Sequence, residues 1–280
     1  MTPDTVIQTC YLNKWNDEVG SDQFGVHLLM HYITRGRISN VEVFHAGQGF
    51  QLGRYPLHFH NSGNQPDSYI SNNAIYDTFN RAVTMHGVWN ATIEWNVAYN
   101  CMGHNYFIED AVEEDLLIQY NLAVKTKQSF SLLASDQKAA AFWITNAYNT
   151  IQHNHAAGGA QVGFWVNPPP ESGHSNADCP PIVRSHCPVF TPVKRWYNNT
   201  AHDMGLYGFW IFSQVEHYRF NPSTSDCRPT WPPGNGLFEN GKFWNCLRGA
   251  EIADSGDNVK LKNFIAASHS CNNGILCVSH

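Results

Sequence analysis

Charge is what this sequence has least of. Asp, Glu, Lys and Arg make up 14% of its 280 residues, against about 25% in an average soluble domain. The net charge is −6 with histidine neutral, and the 17 Lys and Arg residues form no run. That excludes the electrostatic footprint of a nucleic-acid binder and leaves little support for binding to anionic lipid. Composition still allows a local basic patch for an acidic polymer. Helical periodicity is poor throughout. The best helical candidate, Ala111 to Tyr120, reads better as the entry to a strand at Leu116-Leu117-Ile118. No apolar run is long enough to span a bilayer, so this chain is not expected to insert into a membrane by itself. Met1 leads into a polar stretch, Thr2 to Thr5, unlike the charged-then-apolar start of a secretory signal. If the protein is extracellular, its signal lies outside these residues.

The eight cysteines lack the paired CxxC spacing of a structural zinc site. Cys179 and Cys187 flank a proline-rich stretch, and Cys271 and Cys277 flank an Asn-Asn-Gly turn. Local disulfides are the natural expectation there; buried thiols are the alternative.

Asparagine is abundant, and it recurs in a phrase. An apolar or aromatic stretch is followed by Asn, then by apolar or small residues, then by a polar turn. Copies begin at Asn40, Asn73, Asn96, Asn121, Asn154 and Asn199, with weaker ones at Asn240 and Asn263. The shortest intervals run from Asn73 to Asn96, from Asn96 to Asn121 and from Asn240 to Asn263. The longest span two visible insertions, near 167–195 and 218–236. The leucines of a leucine-rich repeat are absent, and a propeller blade needs about 40 residues per unit. A period near 24 fits a coil of three short strands stacked on the coil before it, with strands about 4.8 Å apart. A buried Asn at one corner would then hydrogen-bond the backbone and the Asn of the next coil. The expected fold is all-β, a right-handed parallel β-helix over 21–280, with 1–20 the remnant of a preceding segment. Unrelated surface turns of an ordinary β-sandwich are the competing reading.

Further phrases carry a resemblance. They are Gly53-Arg54-Tyr55-Pro56-Leu57-His58-Phe59-His60, Arg81-Ala82-Val83-Thr84-Met85-His86-Gly87 and Gly103-His104-Asn105-Tyr106-Phe107-Ile108-Glu109-Asp110. Together they resemble the β-helix region shared by fibrocystin, fibrocystin-like proteins and the cell-surface hyaluronidases. Ala141-Phe142-Trp143-Ile144-Thr145-Asn146, Tyr207-Gly208-Phe209-Trp210-Ile211-Phe212 and Trp244-Asn245-Cys246-Leu247-Arg248-Gly249-Ala250-Glu251 look most like the fibrocystin branch. The resemblance covers roughly residues 20 to 280. It implies a β-helix in an extracellular or cell-surface part of a larger protein. It also implies a strand-rich domain ahead of this region, and in many members a membrane anchor, both outside residues 1–280.

The same phrases are the most polar part of the repeat. His60, His86, Asp110 and Asp136 follow one another at nearly equal steps, each close to the period of the asparagine phrase. One-coil steps would set them in a column. Arg54 and Arg81 would form a parallel basic column, with His58, His104 and Glu109 close by. Two imidazolium ions about 5 Å apart would repel by about 3 kcal/mol at an effective dielectric near 20. One histidine then stays neutral, or carboxylates compensate, or a divalent metal replaces the protons. His60, His86 and Asp110 form a plausible metal set. Asp110 and Asp136, with His86, are instead candidates for acid–base work on a glycosidic bond. Arg54 and Arg81 would hold substrate carboxylates, with His58, His60, His104 and Glu109 as further ligand contacts. A purely structural, packed and salt-bridged column is the third alternative. Trp143, Trp165, Trp196, Trp210 and Trp244 are expected to be mostly buried; exposed, they would stack on sugar rings. Asn90 and Asn198 head glycosylation sequons. The functional expectation is a module binding a glycan or an extracellular protein, with a polysaccharide depolymerase acting on hyaluronan-like chains as the alternative.

Overall fold

In the computed structural model, residues 5–8, 23–130, 134–169, 188, 191–212, 236–253, 259–267 and 276–278 are described. The described strands assemble into three sheets in which every neighbouring pair is parallel. The chain visits them in turn, so each circuit adds one strand to each sheet. Sheet I has nine strands, from Thr5–Gln8 and Val41–Phe44 through Ala74–Tyr76, Val97–Tyr99, Leu122–Thr126 and His155–Gly159 to Ile265–Ala267. Sheet II has nine, including Leu28–His31, Leu57–Asn64, Val83–Trp89, Tyr106–Ile108 and Ala140–Ile144. Sheet III has eight, including Arg37–Ser39, Tyr69–Ser71, Thr92–Glu94 and Leu117–Gln119. This is a parallel β-helix, as the asparagine phrase predicts. Among the described residues, a 3₁₀ turn at Ala134–Lys138 interrupts the strands, and Pro188 also has 3₁₀ backbone. No helix there is long and apolar enough to cross a membrane.

The core follows from the period of two along each strand. In sheet II, Leu57 and Phe59, Val83 and Met85, Tyr106 and Ile108, and Phe142 and Ile144 all point inward. The residues between them point outward. The inward rings stack along the axis: Tyr106 on Phe142 at 4.8 Å, and Phe142 on Phe164 at 4.6 Å. Trp196 joins this core, while Trp143, Trp165 and Trp210 form a second buried cluster on the outward side of sheet II. Trp244, at 36% exposure, is the exception among the five tryptophans.

The corner between sheets III and I holds the asparagine ladder. Asn73, Asn96, Asn121, Asn154 and Asn199 are buried. In each of the first four, the backbone N–H and Nδ2 donate to Oδ1 of the next coil's Asn at 2.9–3.1 Å. Nδ2 also donates to a carbonyl of the coil before, as Asn121 does to Ile93 O at 2.8 Å. Every polar atom of these amides is satisfied, so burying them carries no orphan penalty. Asn40, Asn240 and Asn263 are one residue out of this register. They have φ of 55°, 57° and 54° and occupy the left-handed corner itself, a conformation asparagine tolerates.

Coil length varies more than the phrase suggests. The register step from Val83 to Tyr106 spans one short circuit. The next, from Tyr106 to Phe142, is about half as long again, and that from Phe164 to Phe209 is nearly twice the first. This longest step contains the first predicted insertion. The bulk of both insertions, residues 9–20 of the proposed remnant, and Cys179, Cys187 and Cys271 lie outside the described residues. Cys101 and Cys246 are buried, and Cys101 is a free thiol. The expected strand at Leu116 begins one residue later, at Leu117.

Candidate functional site

Four successive strands of sheet II repeat one local phrase: Leu28-Leu29-Met30-His31, Leu57-His58-Phe59-His60, Val83-Thr84-Met85-His86 and Tyr106-Phe107-Ile108-Glu109. Because the first and third positions face the core, the second and fourth face outward. The pairs His31↔His60 and His60↔His86 are in register, and Ile108↔Met85 sets Glu109 beside His86. The fourth positions therefore form an outward column, His31, His60, His86 and Glu109. His58 stands beside His60 on the same face of the strand.

The cluster is tight. His60 Nδ1 and His86 Nδ1 are 3.0 Å apart. One ring nitrogen from each of His58, His60 and His86 lies within 4.8 Å of the others. His86 is held from both sides, with Nε2 at 2.7 Å from Asp110 Oδ2 and Nδ1 at 3.2 Å from Glu109 Oε2. Burial works against protonating His86, but those two carboxylates outweigh it and raise its pKa to about 10. Burial pushes His58 down to about 3, and burial together with His86 pushes His60 down to about 4. The cluster thus keeps one imidazolium and two neutral imidazoles, which resolves the repulsion expected for a histidine column. Burial favours a protonated Glu109, yet His86 and Arg81 outweigh it and hold its carboxyl below the usual range.

His58 differs from its neighbours in how its ring is held. It is 1% exposed, and its Nδ1 lies 3.0 Å from Gly53 O. A carbonyl only accepts, so Nδ1 carries the proton and Nε2 presents a lone pair. That Nε2 is buried and has no hydrogen-bond partner. A neutral histidine anchored through one nitrogen, with the other bare, is the arrangement that metal-ligating histidines use. His86 has a comparable anchor in Asp110. With one proton displaced from His86 by the ion, the donor set of three imidazoles and a carboxylate would suit a divalent transition metal. His58, His60 and His86 would hold the ion, with Glu109 beside them.

A buried network supports this cluster from below. Arg81 is 1% exposed and reaches Asp136 through Nε and Nη2 at 3.0 and 2.8 Å. Its Nη1 donates to Tyr55 Oη at 2.8 Å, and Tyr55 Oη donates to Glu109 Oε1 at 3.2 Å. Its guanidinium also lies 3.8 Å from the Phe107 ring. Glu109 is thereby fixed on one side while it faces His86 on the other. Glu113, with no exposed surface, accepts the Gly87 N–H at 2.7 Å; burial, reinforced by Asp110, raises its pKa to about 8.

Several expected positions fall elsewhere. Asp136 does not continue the column. The circuit that follows Tyr106 is lengthened, so a step of ordinary length beyond Asp110 lands in its insertion, on the 3₁₀ turn that folds back over Arg81. With its carboxylate spent on Arg81, Asp136 is not placed to act with Asp110 on a glycosidic bond. Arg54 and Arg81 form no column: Arg54 is 3.4 Å from His27 near the surface, and Arg81 is buried against Asp136. Arg81 is likewise closed to a substrate carboxylate. His104 has no exposed surface and accepts the Ala140 N–H at 2.9 Å, which seats the returning insertion rather than a ligand. Sequence reasoning misses His31, Tyr55 and Glu113; the repeated phrase of sheet II is the signal that identifies His31. Asn90 is exposed at a turn, and Asn198 is half-buried 2.8 Å from His153 Nδ1.

Comparison with known proteins places this arrangement. The chain is 41% identical to fibrocystin-L of Mus musculus over 276 residues, which is 96% of this chain and 6% of that protein. It is 34% identical to communication mutant protein F of Dictyostelium discoideum over 206 residues, 67% of this chain and 18% of the other. It is 25% identical to the cell surface hyaluronidase of Danio rerio over 241 residues, 74% of this chain and 17% of the other. The chain thus spans a small part of each relative's length. The CEMIP beta-helix family model matches residues 23–209, which include the whole His–carboxylate cluster. A fibrocystin-L-like sequence, a three-sheet parallel coil and this match agree, and the chain belongs to the CEMIP beta-helix family.

Proposed function

We propose that the chain is the β-helix module of a fibrocystin-like cell-surface protein and that it binds a glycan at the outward His–carboxylate cluster of sheet II, around a divalent metal. The observation that carries this reading is the bare, buried Nε2 of His58, in a ring that clusters with His60 and His86. A bound dication supplies a Lewis-acidic point on which sugar hydroxyls or carboxylates gain affinity. The chain's own residues do the rest. Gly53 and Asp110 orient His58 and His86, while Tyr55 and Arg81 hold Glu109. Half-exposed His60 and exposed His31 leave the column open to solvent at one end. The test is a glycan array probed with the chain, with zinc added and again after chelation. Metal-dependent binding that disappears in His58→Ala and His60→Ala supports the reading; binding indifferent to both changes refutes it.

A second reading, a polysaccharide depolymerase, is favoured by likeness to a protein named as a cell surface hyaluronidase. It also draws on a site where His86 sits between two carboxylates. In that role imidazolium His86 is the proton source and Glu109 or Asp110 the base. The measurement is hyaluronan chain length after incubation with the chain kept metal-free by chelator, where His86 retains its proton; unchanged length rejects this reading for that polymer.

A further inference from the structure

The outward side of sheet I carries a second feature, on a different sheet from the histidines. Register aligns Tyr76, Tyr99, Val124, Ala157, His202 and Trp244 in one column. Rings stand at both ends, and small side chains lie between them. Immediately after this column the chain turns through left-handed residues: Asp77, Asn100, Lys125, Gly158, Asp203 and Asn245, with φ from 50° to 63°. Side chains of this turn pair across coils, Asn100 with Asp77 and Asn245 with Asp203. Gly158 is the one member without a side chain, and a Cβ added there would meet nothing within 4 Å.

The gap opens into a cleft of about 570 Å³. Tyr99 and Phe130 line it, 42% and 72% exposed. Lys125 and Lys127 also line it, and none of the described lining residues is acidic. Lys125 Nζ lies 5.8 Å from the Tyr99 ring centre. In a chain of net charge −6, two lysines without an acidic neighbour in the cleft make a local positive spot. Exposed rings take the apolar faces of sugars, and ammonium groups take their anions as point charges.

We propose that this cleft binds an anionic polysaccharide, a uronic-acid-containing or sulfated glycan, with sugar rings against Tyr99 and Phe130 and an acidic group between Lys125 and Lys127. The site works by charge and stacking, so it needs neither the metal nor the sheet II cluster.

The test uses the full 280-residue chain on biosensor surfaces bearing hyaluronan, heparin or neutral dextran, with EDTA present throughout. The expected result is binding to an anionic polymer but not to dextran, weakening between about 50 and 150 mM salt as screening tightens. Lys125→Asn combined with Lys127→Gln should weaken it at least about tenfold. Gly158→Asp should do the same by placing a carboxylate in the gap, in a conformation that Asp77 and Asp203 already adopt. The EDTA present throughout keeps the metal-centred site of sheet II silent, so binding that persists in it is separated from that site. Binding of heparin alone keeps the site and assigns it to sulfated chains. Equal affinity for dextran, no binding of either anionic polymer at low salt, or full binding by the lysine variant at an unchanged melting temperature overturns the proposal.

Discussion

Replacing Asp136 by asparagine removes one charge from a pair in which both partners are buried. The side chains of Arg81 and Asp136 are 1% and 2% exposed, and two hydrogen bonds of 3.0 and 2.8 Å join them. After the change, Arg81 keeps a full charge with Glu109 as its remaining carboxylate, 3.8 Å away. Breaking a buried ion pair from one side costs about 3–5 kcal/mol. A direct Coulomb figure at about 4 Å and an effective dielectric near 20 gives about 4 kcal/mol, in the same range. With a urea m-value of about 3 kcal/mol/M, the midpoint should fall by about 1–1.7 M. Removing both charges, in Arg81→Met with Asp136→Leu, should recover most of that loss, because no bare charge remains. A loss for Asp136→Asn of less than about 1 kcal/mol, the value of an exposed pair, would refute the reasoning. So would a double variant no more stable than the single one.

Other outcomes follow from the same geometry. Asn121→Ala takes away the acceptor of the Asn96 N–H and the donor to Ile93 O, so denaturation should show a loss of about 2–4 kcal/mol. Asn40→Gly, at a left-handed corner outside the ladder register, should be neutral or stabilising by up to about 1 kcal/mol; the reverse order would contradict the ladder. Glu113 has its folded pKa raised to about 8 from 4.5. Its contribution is therefore fully present below pH 4.5 and lost as pH rises through 8. Glu113→Gln should flatten the fall in melting temperature between pH 5 and pH 8, and an unchanged slope counts against that ionisation.

The coil is legible in the sequence because its signal is local and repeated. A buried amide needs the same partners in every circuit, so asparagine recurs at the same corner. His60 and His86 are legible for a related reason, since the coil between them carries no insertion. Counting fails where coils lengthen. Asp136 follows Asp110 at the ordinary step, yet it belongs to the lengthened circuit between Tyr106 and Phe142 and meets Arg81 across 55 positions. Composition does not separate Arg54 at the surface from buried Arg81, because what differs is the partner, and the partner comes from an insertion. His58 and His60 share one strand and face the same way; only the structure reveals that His58 is buried with a bare nitrogen.

Metal content tests the central claim most directly. The purified chain, dialysed against zinc, copper or nickel and then against buffer, should retain one equivalent of an ion by mass spectrometry. Retention should fall to background in the His58→Ala, His60→Ala variant at an unchanged fold. No retained ion in the parent chain, or equal retention in the variant, would contradict a metal centre at His58, His60 and His86.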